Sequence, residues 1–297
     1  MGPHEITDFD FESDLLVAIR GLSHEIELPA GQDLQESLLD HLTFQAKLIE
    51  PRRREVSISP ILSSQLMGHG KRHVVEHIMN QARSGENINR FQSARILQTG
   101  FHDHMLNEWW IYHFHLSLEL EPGGVFAKRS DELLFAFVDE SRIIFLGIDK
   151  HRPGVFADTK WLEILHDHYP EVIERFRDRS ISDVLPNPNA AERQELWNRG
   201  YTLAFTVVGD AVYHSPGLGR TVSGHSIGVV RQVSAIRRWL HEIGKQFRER
   251  ASEICASFNL DSCKTRFQLV VVNERPVIRD AHSNTILIVY PQVFDLP

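Results

Sequence analysis

The sequence predicts an α+β protein, on three patterns. Apolar residues recur at spacings of three and four along 33–48 and along 227–258, as in helices that bury one face. Between them three β-favouring runs, 109–116, 132–138 and 142–149, follow one another across hairpin-type breaks at Glu121-Pro122-Gly123-Gly124 and Asp139-Glu140-Ser141. Strand-like runs return at the C-terminal end, with little sign of the alternating βαβ units of a parallel sheet.

Taken in order, Leu34, Leu38, Leu39, Leu42 and Phe44 form the stripe of the first helix, which ends near the basic step Pro51-Arg52-Arg53-Arg54. Helical pieces over 73–82 and 91–97 are parted by the turn signal Ser84-Gly85-Glu86-Asn87. The three central strands come next, and a helix over 159–177 is expected to pack on their small antiparallel sheet. The polar stretch that opens at Ser180 and contains Pro186-Asn187-Pro188-Asn189 reads as a linker. Beyond it, 201–208 and 211–213 read as a strand and its short return around Gly209-Asp210. Val230, Val233, Ile236, Leu240, Ile243, Phe247 and Ile254 then mark one long amphipathic helix, followed by strands near 267–272, 277–279 and 285–290. The predicted division is an acidic N-terminal arm (1–32), a helical region with the central sheet (33–179), a linker (180–199) and a C-terminal α+β domain (200–297).

With 297 residues, 42% hydrophobic and 24% charged, the chain can bury a real core. No apolar run approaches the roughly 20 residues that cross a bilayer, and the first residues are acidic where a signal peptide is basic, so no membrane association and a cytoplasmic location are expected. Two cysteines, Cys255 and Cys263, give neither a disulfide framework nor a thiolate zinc site. The net charge of −8 is concentrated in residues 1–50, which hold eleven acidic and two basic side chains; the remainder is nearly neutral. Such an arm is either solvated or lies across a basic groove in place of nucleic acid.

The candidate chemistry centres on Trp109-Trp110-Ile111-Tyr112-His113-Phe114-His115-Leu116. In a strand His113 and His115 share one face, about 6.5–7 Å apart. The third run ends in Lys150-His151-Arg152. His113, His115 and His151 could divide acid and base roles on a ribose 2′-hydroxyl and a leaving oxygen, while Lys128, Arg129 and Arg152 stabilise the phosphorane, with no cofactor. The alternative is an open Zn or Mn site on His113, His115, His151 and Asp103, serving a metal-dependent hydrolase. Asp103 and Asn107, four apart, either orient the histidines or cap a helix.

Three further patterns carry their own alternatives. His73-Val74-Val75-Glu76-His77 matches H-x-x-E-H, a zinc-peptidase arrangement or an exposed helix face. Gly224-His225-Ser226-Ile227-Gly228 matches the G-x-S-x-G elbow, but a glycine-rich loop precedes it where an elbow needs a buried strand; helix capping, or anion binding with Arg220, also fits. Arg231, Arg237, Arg238, Lys245 and Arg248 on the long helix are either solvated surface or a track for a nucleic-acid backbone.

Over residues 109–152 the succession of helices and then strands reading WWIYHFHLSLE, DELLFAFVDES and RIIFLGIDKHR, with the basic ending Lys150-His151-Arg152, resembles the RelE/ParE type of bacterial toxin. Lys128, Arg129, Arg142 and His151 are the family-like positions. The resemblance implies a small antiparallel sheet that cleaves mRNA without metal on the ribosome or acts on another target. The expected function is therefore an RNA-cleaving toxin or phage-defence endoribonuclease, with RNA and a neutralising protein as partners. A non-catalytic module that binds nucleic acid or protein is the remaining alternative. The pair His113/His115 is not a hallmark of that family, and its members are small single domains.

Overall fold

The structure is a computed structural model and describes residues 9–23, 25–262 and 264–291. In chain order its elements are α1 (Phe11–Leu22), α2 (Leu34–Lys47), β1 (Glu55–Ile58), α3 (Pro60–Gln65), α4 (Arg72–Ser84), α5 (His104–Trp109), β2 (Ile111–His115), β3 (Glu132–Val138) and β4 (Arg142–Lys150). These are followed by α6 (Lys160–His168), α7 (Pro170–Ile173), β5 (Arg177–Asp178), α8 (Ala190–Asn198), β6 (Phe205–Val208), β7 (Ala211–His214), α9 (Ile227–Ser257), β8 (Phe267–Val272), β9 (Arg275–Asp280) and β10 (Ile286–Val289). The class is α+β, and among the described residues no helix is long and apolar enough to cross a membrane.

The chain forms two compact units, one of Phe44–Ile227 and one built from both ends, up to Thr43 and from Gly228. This differs from the expected linear division. The stretch 180–199 contains α8, whose capping box pairs Asn189 with Glu192 and whose Arg193 and Trp197 are fully buried. It is therefore part of the first unit rather than a linker. The acidic segment is likewise no arm over its described residues. Asp10 caps α1 by accepting from Glu12 N and Ser13 N, and Phe11, Leu15 and Ile19 are buried at helical spacing, leaving the carboxylates largely on the outer face. Residues 1–8, and Cys263, lie outside the described residues.

In the unit 44–227 the main sheet has the order β1-β4-β3-β2. β2, β3 and β4 form the expected antiparallel meander, and β1, which sequence reasoning missed, adds parallel to β4. Tyr112, Phe114, Leu134, Ala136 and Phe145 pack on Val74, Val75 and Ile78 of α4 on one face. Ile111, Leu133, Phe135, Phe137, Ile144 and Leu146 pack on Trp161, Leu162 and Leu165 of α6 on the other. Burial on both faces explains why β3 and β4 read as continuous apolar runs instead of alternating ones. His113 and His115 lie on the α6 face, opposite Phe135 and Leu133 in register. The helix expected over 159–177 is broken, because Pro170 lacks the N–H that would continue α6 and starts α7 instead. β5, β7 and β6 form a second small sheet.

In the other unit α1, α2 and α9 share a core with the sheet β10-β9-β8. Phe247 of α9 meets Phe11 and Phe267 edge-on at 5.4 and 5.0 Å, and Asp14 accepts the β8 backbone N–H of Leu269 at 2.9 Å.

Candidate functional site

A cleft of about 480 Å³ opens in the unit 44–227 where β2, the ends of the β3–β4 hairpin, the segment before α5, and α8 converge. His113, His115, His151, Arg129 and Asp103 all line it, so the sequence-predicted histidines and their acidic neighbour do meet. Three local features place them. The strand period puts His113 and His115 on one face. The hairpin returns β4 beside β3, so that His151 follows directly on the Glu132–Lys150 pair and its N–H donates to Asp131 O at 2.6 Å. Asp103 caps α5 by accepting from Leu106 N at 3.0 Å, and Trp110, left-handed at φ 53°, ends that helix and turns the chain into β2.

The ring nitrogens have distinct environments. His113 Nδ1 lies 3.4 Å from Asp103 Oδ2, close enough for the charge to act on the ring but without hydrogen-bond geometry, so Nδ1 is buried with no hydrogen-bond partner. Burial lowers the His113 pKa, with Asp103 opposing and His151 reinforcing the shift. His115 differs: Ser130 N–H donates to its Nδ1 at 3.3 Å, so the neutral ring carries its proton on Nε2. Burial holds its pKa down at about 4, helped by His113, Arg129 and His151, and the ring is uncharged at neutral pH. His151 is exposed and meets Phe156 edge-on at 5.4 Å. The cleft thus offers an imidazole beside a carboxylate, a neutral imidazole donor, a solvent-facing imidazole and a guanidinium.

Sequence reasoning missed part of the lining. His102 and His104 flank Asp103, and Arg95, Phe101, Gln194 and Trp197 complete the walls. The string His102-Asp103-His104 was the available signal, whereas the contribution of α8 comes from 90 residues downstream and has no local sign. Beneath the cleft Trp197 Nε1 donates to Glu108 Oε1 at 2.6 Å. Burial raises the Glu108 pKa to about 7 against the opposing effect of the Trp197 hydrogen bond and of Arg193.

Other expected residues lie elsewhere. Lys128 is exposed, 3.5 Å from Glu119, and lines a separate hollow that it shares with Arg129. Arg152 is bound to Asp149 and Asp158 at 3.1 and 3.0 Å, and Arg142 faces Asp139 and Glu171. Neither arginine lines the cleft. Asn107 lines another hollow, with Trp110 and Ser226, and its backbone carbonyl accepts Gly219 N–H at 3.2 Å. Arg220 donates to the Trp197 carbonyl, and burial rather than an anion dominates its surroundings.

In H-x-x-E-H, Glu76 is bound to Arg72 at 2.7 Å and His77 contacts Arg90, so the helix face has partners of its own. Arg231, Arg237, Arg238, Lys245 and Arg248 are exposed on α9 in the other unit, where Arg237 donates to Gln35 and Arg248 lies over Phe9. Among the described residues no three His, Cys, Asp or Glu side chains gather as a metal ion requires.

The chain matches no protein-family model, no curated protein and no solved structure.

Proposed function

We propose that the cleft cleaves RNA by acid–base chemistry of the chain's own side chains. The observation that carries this reading is the Asp103–His113 pair, 3.4 Å apart, in one cleft with His115, His151 and Arg129. His113 Nε2 takes the proton of a ribose 2′-hydroxyl as that oxygen attacks phosphorus. His151 gives a proton to the departing 5′-oxygen, and the product ends in a 2′,3′-cyclic phosphate. Arg129 and the Nε2–H of His115 face the charge that grows on the phosphoryl oxygens. A neutral donor suits this task, because His115 has its other nitrogen engaged by Ser130.

The resemblance to RelE/ParE-type toxins lies in the sequence over 109–152, in its strand runs, hairpin form and basic ending Lys150-His151-Arg152. It supports a toxin or phage-defence effector acting on RNA, on the ribosome or free of it, and held in check by a partner protein.

The test is incubation of purified protein with end-labelled single-stranded RNA, with and without EDTA, and with ribosomes added in a parallel set. Cleavage that resists EDTA and falls by about 10²- to 10⁴-fold in His113→Ala supports the reading. Cleavage abolished by EDTA would replace it with the metal-dependent hydrolase, and intact RNA in every lane would leave a binding module.

A further inference from the structure

We infer that the cleft contains a nucleobase-stacking subsite with His104 as its platform, and that the occupant is an unpaired nucleotide of single-stranded RNA. The identity of this ligand rests on the RNA reading above; the platform itself rests on separate geometry.

The imidazole of His104 lies flat on the indole of Trp197, with ring centroids 5.2 Å apart and an interplanar angle of 19°. Trp197 is only 1% exposed, and it is pinned from below by the 2.6 Å bond to Glu108 and by Arg220 on its carbonyl. His104 therefore rests on a fixed base. Both rings line the cleft, and the part-buried imidazole is the less buried of the two. Burial also keeps the ring neutral, its pKa down at about 4.

A second flat surface lines the same cleft. The Arg95 guanidinium sits 4.6 Å from the centre of the Phe101 ring. Histidine, phenylalanine and arginine planes are the surfaces on which proteins stack splayed-out bases of single-stranded RNA. A base inside a duplex already has neighbours on both faces, so paired RNA has none to offer. The volume, about 480 Å³, is that of a pocket for one small-molecule-sized group.

The test measures binding apart from cleavage. A fluorescently labelled oligoribonucleotide with 2′-O-methyl riboses throughout lacks the hydroxyl that the reaction needs. Its affinity for the full-length protein is read by anisotropy, with abasic units walked along the oligonucleotide. We expect one abasic position to weaken binding by about 5- to 150-fold, the loss of one stacked base. His104→Ala should cause a similar loss, His104→Phe should restore binding, and the duplex form should bind poorly.

Equal binding of abasic and intact oligonucleotides would overturn the inference without touching the protein's fold. Cleavage of natural RNA with unchanged KM in His104→Ala would overturn it too and leave the nuclease reading standing. Base-dependent binding with no cleavage of natural RNA would do the reverse.

Discussion

One carboxylate stands between α5 and His113: Asp103 Oδ1 accepts the Leu106 N–H at 3.0 Å while Oδ2 lies 3.4 Å from His113 Nδ1. The two roles separate by substitution. Asp103→Asn keeps an oxygen able to cap the helix but removes the charge beside His113. Thermal stability should change little while RNA cleavage falls, towards the roughly 100-fold loss that marks the low end for a missing general base. Asp103→Ala should lose cleavage and also about 0.5–2 kcal/mol of stability with the cap. Unfolding curves beside cleavage rates distinguish the two; unchanged cleavage in Asp103→Asn would remove Asp103 from the mechanism.

The basic residues divide in the same way. Arg129 lines the cleft, whereas Lys128 and Arg152 form exposed ion pairs outside it. Arg129→Ala should lower kcat for RNA cleavage by 10-fold or more, on the order of 1.4 kcal/mol in the transition state. Lys128→Ala and Arg152→Ala should each cost less than about 1 kcal/mol in stability and leave kcat nearly unchanged. A loss in Lys128→Ala equal to that in Arg129→Ala would move the phosphate site out of the cleft.

What the sequence disclosed follows from how local each signal is. The period of two places His113 and His115 on one face, and the turn residues at 139–141 fix the hairpin that returns His151, so these are readable from short windows. α9 is equally readable, because its apolar stripe persists for 31 residues. β1 is not: four residues with a half-buried pattern carry no periodic signal, and their strand character comes from pairing with β4. Nor is the contribution of α8. Trp197 lines the cleft while its indole N–H is held in the interior by Glu108, 89 residues earlier in the chain. The expected linker had the composition of a loop, and its second half folds because of the Asn189–Glu192 capping box and the burial of Trp197.

His115 makes stability depend on pH. Its folded-state pKa is about 4, below the ordinary 6.5, so between those values the unfolded chain binds a proton that the folded chain refuses. Stability is therefore full above about pH 6.5 and is lost as pH falls towards 4, by on the order of 3 kcal/mol for this group. His104, shifted in the same direction, adds to the loss. Denaturant unfolding from pH 7.5 to 4.5 should show the decline, and His115→Gln should make it shallower. An identical slope in the variant would mean that the ring is not buried neutral.

Gly217 tests the loop that seals the far side of α5. A Cβ there would stand 1.9 Å from the Asn107 carbonyl oxygen, and the Gly217 N–H donates to the Glu108 carbonyl at 3.0 Å. The obstacle is the Asn107 backbone, so no rotamer change relieves it. Gly217→Ala should cost at least about 3 kcal/mol, the upper range of overpacking effects. A melting temperature within a degree of wild type would show that the loop does not approach α5 this closely.

Glu108 should produce the opposite pH dependence from His115. Its carboxyl is buried, with a pKa raised to about 7 from the ordinary 4.5, so the folded chain holds a proton that the unfolded chain releases between those values. Stability from this group is full below about pH 4.5 and falls as pH rises to about 7, by on the order of 3 kcal/mol. Glu108→Gln preserves an oxygen for the Trp197 N–H and cannot ionise, so it should remove that fall. The variant should match wild type near pH 4.5 and exceed it progressively up to pH 7, with the gap constant above. Because Trp197 supports His104, RNA binding should survive the change, whereas Glu108→Ala, which strands the indole N–H in the interior, should lose both stability and binding. Unfolding measured at pH 5 and pH 8 decides the matter: a gap that does not widen with pH would show that Glu108 is ionised throughout and paired with Arg193 or Arg220.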